Sequence, residues 1–175
     1  MTYTTPPTVT SADQMTAALW NTYITDNLET IARPPAWNLS LSSDIGITKT
    51  GLTDTVTWTQ GDLVRGCTWS NPSDTVTIDS DGWYRVGWCF QYRTLAGHGT
   101  VTIIELTING TVQYSTNNML SAPSQSFTRY DNTGSFVYWL ETGDDLSVQY
   151  RMTSSGSVFL ESDASRFYGF QIAES

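Results

Sequence analysis

The segment GWYRVGWCFQY, residues 82–92, changes the character of its side chains at every second position. Alternate side chains of an extended strand point to opposite faces of a sheet. One face of this segment is wholly apolar and consists of Tyr84, Val86, Trp88, Phe90 and Tyr92. The other face is mixed and consists of Trp83, Arg85, Gly87, Cys89 and Gln91. The segment therefore predicts a strand of a sheet that buries its first face in a hydrophobic core.

The same two-residue period continues through the chain from residue 36 onward. Short alternating runs predict strands at 37–41, 45–49, 54–59, 65–69, 75–79, 82–92, 100–107, 110–115, 125–130, 134–140, 145–151, 157–162 and 166–173. Turn-forming pairs such as Gly61-Asp62, Asn109-Gly110 and Gly143-Asp144 separate them, and Asn-Gly suits a tight hairpin turn. Many short strands with regular turns are typical of an antiparallel sandwich or barrel.

Residues 11–32 have a different period and are the one convincing helix in the sequence. Ser11 and Gln14 form a capping box at its start. Apolar residues recur at helical spacing in two adjacent stripes: Trp20, Ile24, Leu28 and Ile31 in the first, and Met15, Leu19 and Tyr23 in the second. Pro34 and Pro35 end the pattern. We therefore predict an extended arm and a helix over residues 1–35, followed by a β-domain over residues 36–175.

The charge and the first residues exclude several classes of function. The net charge is −9 and the eight Lys and Arg are scattered, so nucleic-acid binding is not expected. No apolar run approaches the 18 residues or so that a membrane span needs. The N-terminus lacks the basic and apolar regions of a secretory signal. We therefore expect a cytoplasmic fold with Cys67 and Cys89 reduced, although a cross-strand disulfide between them is sterically open.

The sequence offers little support for catalysis or for a bound cofactor. His98 is the one histidine, and neither a nucleophile elbow nor a Cys-x-x-Cys motif is present. The run from Asp79 to Gly82 begins like a calcium loop but lacks the downstream glutamate, so a tight acidic turn is favoured. Asp144, Asp145 and Asp163 could join these carboxylates in a metal cluster in space. We predict no cofactor, no metal and no enzymatic activity.

Three segments in the β-domain resemble the C1q/TNF-like jelly roll. They are TVTIDSDGWYRVGWCFQY at 75–92, WLETGDDLSVQY at 139–150 and RFYGFQIAE at 166–174, and the resemblance covers about residues 50–174. It implies an all-β, ten-stranded antiparallel sandwich that forms a homotrimer. Trp83, Arg85 and Gly87 would then lie at the trimer interface. The alternative is that this face is simply solvated, with Trp83 tucked under a loop.

The N-terminal segment is similar to that of tailed-phage virion proteins that carry such a jelly roll. The matching residues are Ala18, Asn21, Thr22, Tyr23, Asp26, Asn27 and Leu28. The resemblance implies a structural virion protein that is made in the host bacterial cytoplasm. The first hypothesis is a trimeric capsid decoration protein. Its arm and helix would bind the major capsid protein, or a tail or fibre protein, and the predicted anchoring residues are Trp20, Tyr23, Ile24 and Leu28.

Two other functions stay open at this point. The same trimer could be the receptor-binding tip of a tail or head fibre that grips a host-surface glycan, with an exposed aromatic such as Tyr114 or Tyr130 stacked on a sugar. A glycan hydrolase is the weakest hypothesis, because no close pair of carboxylates is indicated. A lattice of many copies on the particle would identify a decoration protein, whereas a few copies at the tail would identify a receptor-binding protein.

Overall fold

The computed structural model describes residues 33–47, 53–94, 99–121, 128–152 and 158–173 of the 175-residue chain. The predicted arm and helix fall on residues 1–32 and lie outside this described part. The boundary at residue 35 therefore stays a prediction. Among the described residues the regular elements are β-strands, and no helix there is long and apolar enough to span a membrane.

Thirteen strands are present in these ranges, and they are numbered here in chain order. They are β1 Ala36–Ser40, β2 Ile45–Ile47, β3 Thr53–Thr55, β4 Gln60–Arg65, β5 Cys67–Thr68, β6 Thr75–Ile78, β7 Gly82–Thr94, β8 Gly99–Ile108, β9 Thr111–Ser121, β10 Thr128–Leu140, β11 Asp145–Met152, β12 Val158–Leu160 and β13 Arg166–Ala173. All the pairings between them are antiparallel.

The first sheet is built around β7. Strand β10 pairs with β7 along its whole length, from Gly82 opposite Leu140 to Thr94 opposite Thr128. The other side of β7 pairs with β13 and, further along, with β12. Strand β1 lies beyond β13, β4 lies beyond β1, and β2 lies beyond β12. The order is therefore β10, β7, β13, β1 and β4 along most of β7, and β10, β7, β12 and β2 along its end. Among the described strands, the edges of this sheet are β10, β4 and the short strand β2.

The second sheet has the order β5, β6, β11, β8 and β9, with β3 also paired to β11. Strands β8 and β9 form a hairpin whose turn is Asn109-Gly110, with φ angles of 50° and 74°. Both angles are positive, as a type I′ turn requires, so the predicted hairpin is confirmed. Strand β9 ends the sheet on the side where β10 ends the first sheet, and the two edge strands contact each other.

The core between the sheets contains the predicted face of β7. Tyr84, Val86, Trp88, Phe90 and Tyr92 all have 0% exposure, which confirms the prediction from their alternation. The ring of Phe167 in β13 packs between two buried tryptophans, 5.7 Å from Trp37 and 5.9 Å from Trp58 between ring centroids. Burying each such side chain stabilises the fold by about 1.5–3 kcal/mol. The core is therefore built on the apolar face of β7, and the mixed face of this strand is not part of it.

The predicted break between strands 125–130 and 134–140 is wrong. Strand β10 runs without interruption through Asp131–Thr133, although residues of these types favour turns. Each of the three pairs with a residue of β7. Asn132 points into the core and accepts a hydrogen bond from Trp88 Nε1 at 3.2 Å. Pairing with a long neighbouring strand and satisfaction of a buried polar group thus override the local preference.

The predicted turn at Gly61-Asp62 is also wrong, because both residues lie inside β4. Gly61 pairs with Leu39 of β1, next to a register shift after Asn38. A side chain at position 61 would meet the ring of Trp69, 2.8 Å from an ideal Cβ. This glycine therefore permits close packing under an indole ring and does not mark a turn.

Candidate interaction surfaces

The mixed face of β7 points outward from the first sheet. Trp83 is 45% exposed, and Arg85 is exposed with Nη2 donating to Ser135 Oγ at 3.2 Å. Gly87 is buried because the ring of Tyr168 lies across it, and an ideal Cβ at position 87 would be 2.6 Å from that ring. Of the three predicted interface residues, Trp83 and Arg85 are therefore accessible, while Gly87 makes room for Tyr168.

Exposed apolar side chains surround Trp83 and Arg85 at the end of the sheet where β7 begins. Cross-strand pairing places Val137 and Phe170 on the two sides of Arg85. The rings of Trp83 and Trp139 meet edge to face, with centroids 5.8 Å apart. Val137 and Ile172 are each about half exposed, at 51% and 50%. We call this group the aromatic patch: Trp83, Val137, Trp139, Phe170 and Ile172.

A second apolar surface lies where β9 and β10 bring the two sheets to a common edge. The rings of Tyr114 and Phe136 stack across the gap, with centroids 5.5 Å apart and planes at 13°. Tyr114 also contacts the buried ring of Trp88, and Phe136 meets Tyr138 edge to face. Tyr114 and Tyr138 remain 41% and 39% exposed. We call Tyr114, Phe136 and Tyr138 the open edge.

The open edge is stiffened by polar contacts between its two strands. Asn132 is buried, and its Oδ1 accepts hydrogen bonds from Trp88 Nε1 at 3.2 Å and from Thr116 Oγ1 at 2.8 Å. Nearer solvent, Tyr138 OH donates to Gln113 Oε1 at 3.3 Å. These contacts join β9 to β10 although the two strands belong to different sheets. Hydrogen bonds between β9 and β10 therefore hold the strands that carry the aromatic side chains of the open edge.

The start of β1 lies beside the aromatic patch. The carbonyl of Pro35 accepts a hydrogen bond from the backbone N–H of Gln171 at 2.9 Å. The carbonyl of Pro34 accepts two hydrogen bonds from the guanidinium of Arg65, at 3.0 Å and 2.6 Å. Gln171 stands between Phe170 and Ile172 in β13. The predicted N-terminal segment therefore joins the sandwich next to two exposed apolar residues.

The acidic turns use their carboxylates to hold neighbouring loops. Asp81 Oδ1 accepts hydrogen bonds from the backbone N–H and the hydroxyl of Thr142, at 2.7 Å and 2.8 Å, and these bonds lower the pKa of Asp81. Asp144 accepts a hydrogen bond from Asn109 Nδ2 at 2.7 Å. The described residues contain no group of three or more potential ligands that could hold a metal ion. The contacts of Asp81 and Asp144 are those expected of tight acidic turns.

An ion-pair network lies at the opposite end of β7. The carboxylate of Glu161 is buried and pairs with Arg93 at 3.2 Å and with Arg129 at 2.9 Å. Arg93 also pairs with Asp44 at 3.1 Å. The backbone N–H of Ser162 donates to Asp44 at 2.9 Å and is the main cause that lowers the pKa of Asp44. The network ties the loop after β12 to β7 and to the start of β10, which is a structural role.

The two cysteines are free and belong to different sheets. Cys67 in β5 is buried, and burial raises the pKa of its thiol to about 11. Cys89 in β7 is partly buried, and its pKa is raised mainly by burial as well. Both thiols are thus neutral at ordinary pH and are weak nucleophiles. This agrees with the prediction of reduced structural cysteines.

Five of the predicted residues fall outside the described part of the chain. They are Trp20, Tyr23, Ile24, Leu28 and His98. Sequence reasoning also missed most of the two apolar surfaces. A signal for them was present, because RFYGFQIA carries apolar side chains on both alternating sets of positions. Strands of this kind have more apolar surface than one core face can bury.

Comparison with known proteins supports the fold but no family. No protein-family model matches the chain, and no curated protein matches its sequence. Among solved structures, the crystal structure of murine APRIL at pH 5.0 matches with a TM-score of 0.54 and 15% identity. The match covers 80% of this chain and 100% of the chain in that crystal structure. APRIL belongs to the TNF family, so the predicted TNF-like jelly roll is confirmed as a fold.

Proposed function

We propose that this protein is a homotrimeric structural component of a bacteriophage virion, a capsid decoration protein held on the particle by its N-terminal segment. The proposed trimer is supported by the two exposed apolar surfaces on one sandwich, the aromatic patch and the open edge. The virion assignment is supported by the resemblance of residues 11–32 to phage virion proteins. We keep the prediction that the protein is not an enzyme.

The two surfaces favour a ring of copies over a symmetric pair. A two-fold dimer joins the same face of both copies, so it covers both surfaces only if they form one continuous face. Here the aromatic patch lies on the outward face of the first sheet, whereas the open edge lies between the two sheets. A contact between the open edge of one copy and the aromatic patch of the next uses both surfaces on every copy, and it closes if the rotation between copies is one third of a turn. Three is the number that the C1q/TNF-like resemblance implies. Aromatic residues are also enriched at such interfaces.

The acidic character of the chain suits a protein that binds the outside of a particle. A net charge of −9 opposes non-specific binding to nucleic acid inside a capsid. Three anchoring segments on one trimer would bind together at high effective concentration, so each needs only a weak contact. The partner is then the major capsid protein, or else a tail or fibre protein.

Rebinding to particles tests this function. Full-length protein is added to virions that lack it, and attachment is measured by sedimentation. Replacing both Trp20 and Ile24 with Asp should abolish attachment while the trimer persists in light scattering. The matched control replaces Thr22 and Thr25, which lie off the apolar stripe, with Asp and should attach normally. Normal attachment of the Trp20 and Ile24 variant would overturn the anchoring role.

The position of the bound protein decides between decoration and receptor binding. A virion reconstruction should show many trimers in the capsid lattice. A few copies confined to the tail tip would instead favour the glycan-binding alternative. The open edge gives that alternative no added support, because one face of the Tyr114 ring already stacks on Phe136. A sugar stacked there would have only the other face of Tyr114.

A further inference from the structure

We propose that the last two turns of the predicted helix, carrying Leu28 and Ile31, pack against Phe170 and Ile172 of the same chain. The helix then has one defined orientation relative to the sandwich and is not a flexible linker. This inference rests on the proposed anchoring function and deepens it, since it says how the anchor is presented. Its occupant is a segment of this chain, residues 25–32.

The position of the linker brings this segment to that surface. Pro35 is bonded to the backbone of Gln171, and Phe170 and Ile172 are the residues on either side of it. Arg65 holds the carbonyl of Pro34 as well. Hydrogen bonds therefore hold the chain to within one residue of Arg33, the first residue that the structure describes. Whatever precedes Arg33 must start beside the two exposed side chains.

Chain length limits which residues can reach the pair. Ile31 is four residues before Pro35, so it lies within about 14 Å of that residue even if the linker is fully extended. Leu28 is three residues further, or about 4.5 Å along a helix. Trp20 is eleven residues before Ile31, about 16 Å along the helix axis. The short linker thus keeps Leu28 and Ile31 close to the sheet and leaves Trp20 well beyond it.

The proline pair permits the necessary change of direction. The residue before a proline avoids helical backbone angles, so the helix should end at or before Arg33. A break at this point separates the axis of the helix from the direction of β1. The helix is then free to turn onto the outward face of β13. Its apolar stripe would otherwise face water, and a helix of this length is marginal without packing.

Charge complementarity favours the same placement. Asp13, Asp26 and Glu29 are the charged side chains of residues 1–32, so the segment carries only negative side chains. Arg85 lies beside Phe170 in the sheet, and its guanidinium has a hydroxyl, Ser135 Oγ, as its hydrogen-bond partner. Among the described residues, no carboxylate forms an ion pair with it. An acidic segment crossing this end of the sheet would supply one.

The inference divides the aromatic patch between two partners. Phe170 and Ile172 on β13 are covered by the chain's own segment. Trp83, Val137 and Trp139 on β7 and β10 remain for the neighbouring copy. Leu28 then packs against the sandwich, whereas Trp20, Tyr23 and Ile24 lie further from it and make the anchoring contact.

Cleavage by a glutamate-specific protease measures this docking directly, because Glu29 is the only glutamate in residues 1–32. Release of residues 1–29 from the intact protein is followed by mass spectrometry and compared with a synthetic peptide of residues 1–35. Docking should slow cleavage at Glu29 at least about tenfold relative to the peptide, since the site must open locally before it is cut. Ile172→Asp should remove most of that protection.

Two control variants separate this proposal from the trimer. Val112→Asp, at an equally exposed apolar position on β9, should leave Glu29 protected. Tyr114→Lys at the open edge should reduce the mass in light scattering and also leave Glu29 protected. If Glu29 is cut as fast as in the peptide, or if Ile172→Asp leaves its protection unchanged, the docking proposal is wrong. Loss of protection in the Tyr114 variant would show that a neighbouring copy, and not the same chain, covers the segment.

Discussion

Tyr114 of β9 and Phe136 of β10 stack almost parallel, at 13°, across the one edge where the two sheets meet through these strands. The pair closes the core over the buried ring of Trp88. Tyr114 nevertheless remains 41% exposed, so the closure is incomplete. A sandwich with such an exposed edge is expected to cover it with another surface. The proposed neighbour is the aromatic patch of a second copy.

Tyr114→Lys should convert the proposed trimer into a monomer. A charged side chain at the centre of an apolar contact loses its hydration without gaining a partner. Light scattering of the native protein should give three times 19.4 kDa, and the variant should give 19.4 kDa. Leu63→Lys, at an exposed apolar position on the opposite edge strand β4, is the control and should remain trimeric. A native protein that is monomeric at micromolar concentration would contradict the prediction.

Asn132→Leu should destabilise the fold by about 1–3 kcal/mol, because Trp88 Nε1 and Thr116 Oγ1 would lose their shared acceptor. Chemical denaturation measures the change. The control is Thr116→Val, which removes only one donor and leaves the bond from Trp88 in place, so its cost should be smaller. Equal costs for the two variants would show that the indole bond contributes little.

Gly169→Ala should be far more harmful than Gly46→Ala. An added Cβ at position 169 would lie 2.2 Å from the ring of Trp37, which is 1% exposed and cannot move aside. Overpacking of this kind costs about 1–3 kcal/mol. At position 46 the nearest atom, in Phe159, is 3.6 Å away, which is ordinary contact. Thermal unfolding of the two variants should rank them in this order.

The protein should lose stability in alkali from about pH 10 upward, where tyrosine in an unfolded chain ionises. Burial and the nearby carboxylate of Asp54 raise the pKa of Tyr150 to about 12. The pKa values of Tyr84 and Tyr92 are also raised, mainly by burial. The folded state therefore holds these protons more tightly, and stability falls as they leave the unfolded state. Tyr150→Phe should reduce the slope between pH 10 and about 12 in denaturation curves.

Asp44 should contribute to stability above about pH 4 and lose that contribution as the pH falls below it. Its pKa is lowered by hydrogen bonds from the backbone and side chain of Ser162 and by Arg93, so the folded state favours the ionised carboxylate. Asp44→Asn should therefore flatten the acid side of the stability curve and change little in alkali. An unchanged acid limb would show that the loop tolerates the loss of this contact.

The sequence alone determined the type of fold and the composition of the core. Alternation in residues 82–92 identified the five core side chains of β7, because only one set of alternate positions of a strand faces the core between two sheets. Asn109-Gly110 identified a hairpin, because few residues adopt positive φ angles at low cost. Both signals are local and act through the backbone, so they can be interpreted before the neighbouring strands are known.

Only the tertiary structure decided which strands pair and which surfaces stay exposed. Asp131–Thr133 has the composition of a turn, yet full pairing with β7 makes it strand. Gly87 has no local reason to be glycine, but Tyr168, 81 residues further along the chain, lies across it. The open edge depends on Tyr114 and Phe136 meeting across two sheets. These features arise from contacts between segments that are distant in the sequence. The energies of those contacts depend on strand order and register, and the residues of a single strand encode neither its neighbours nor its register.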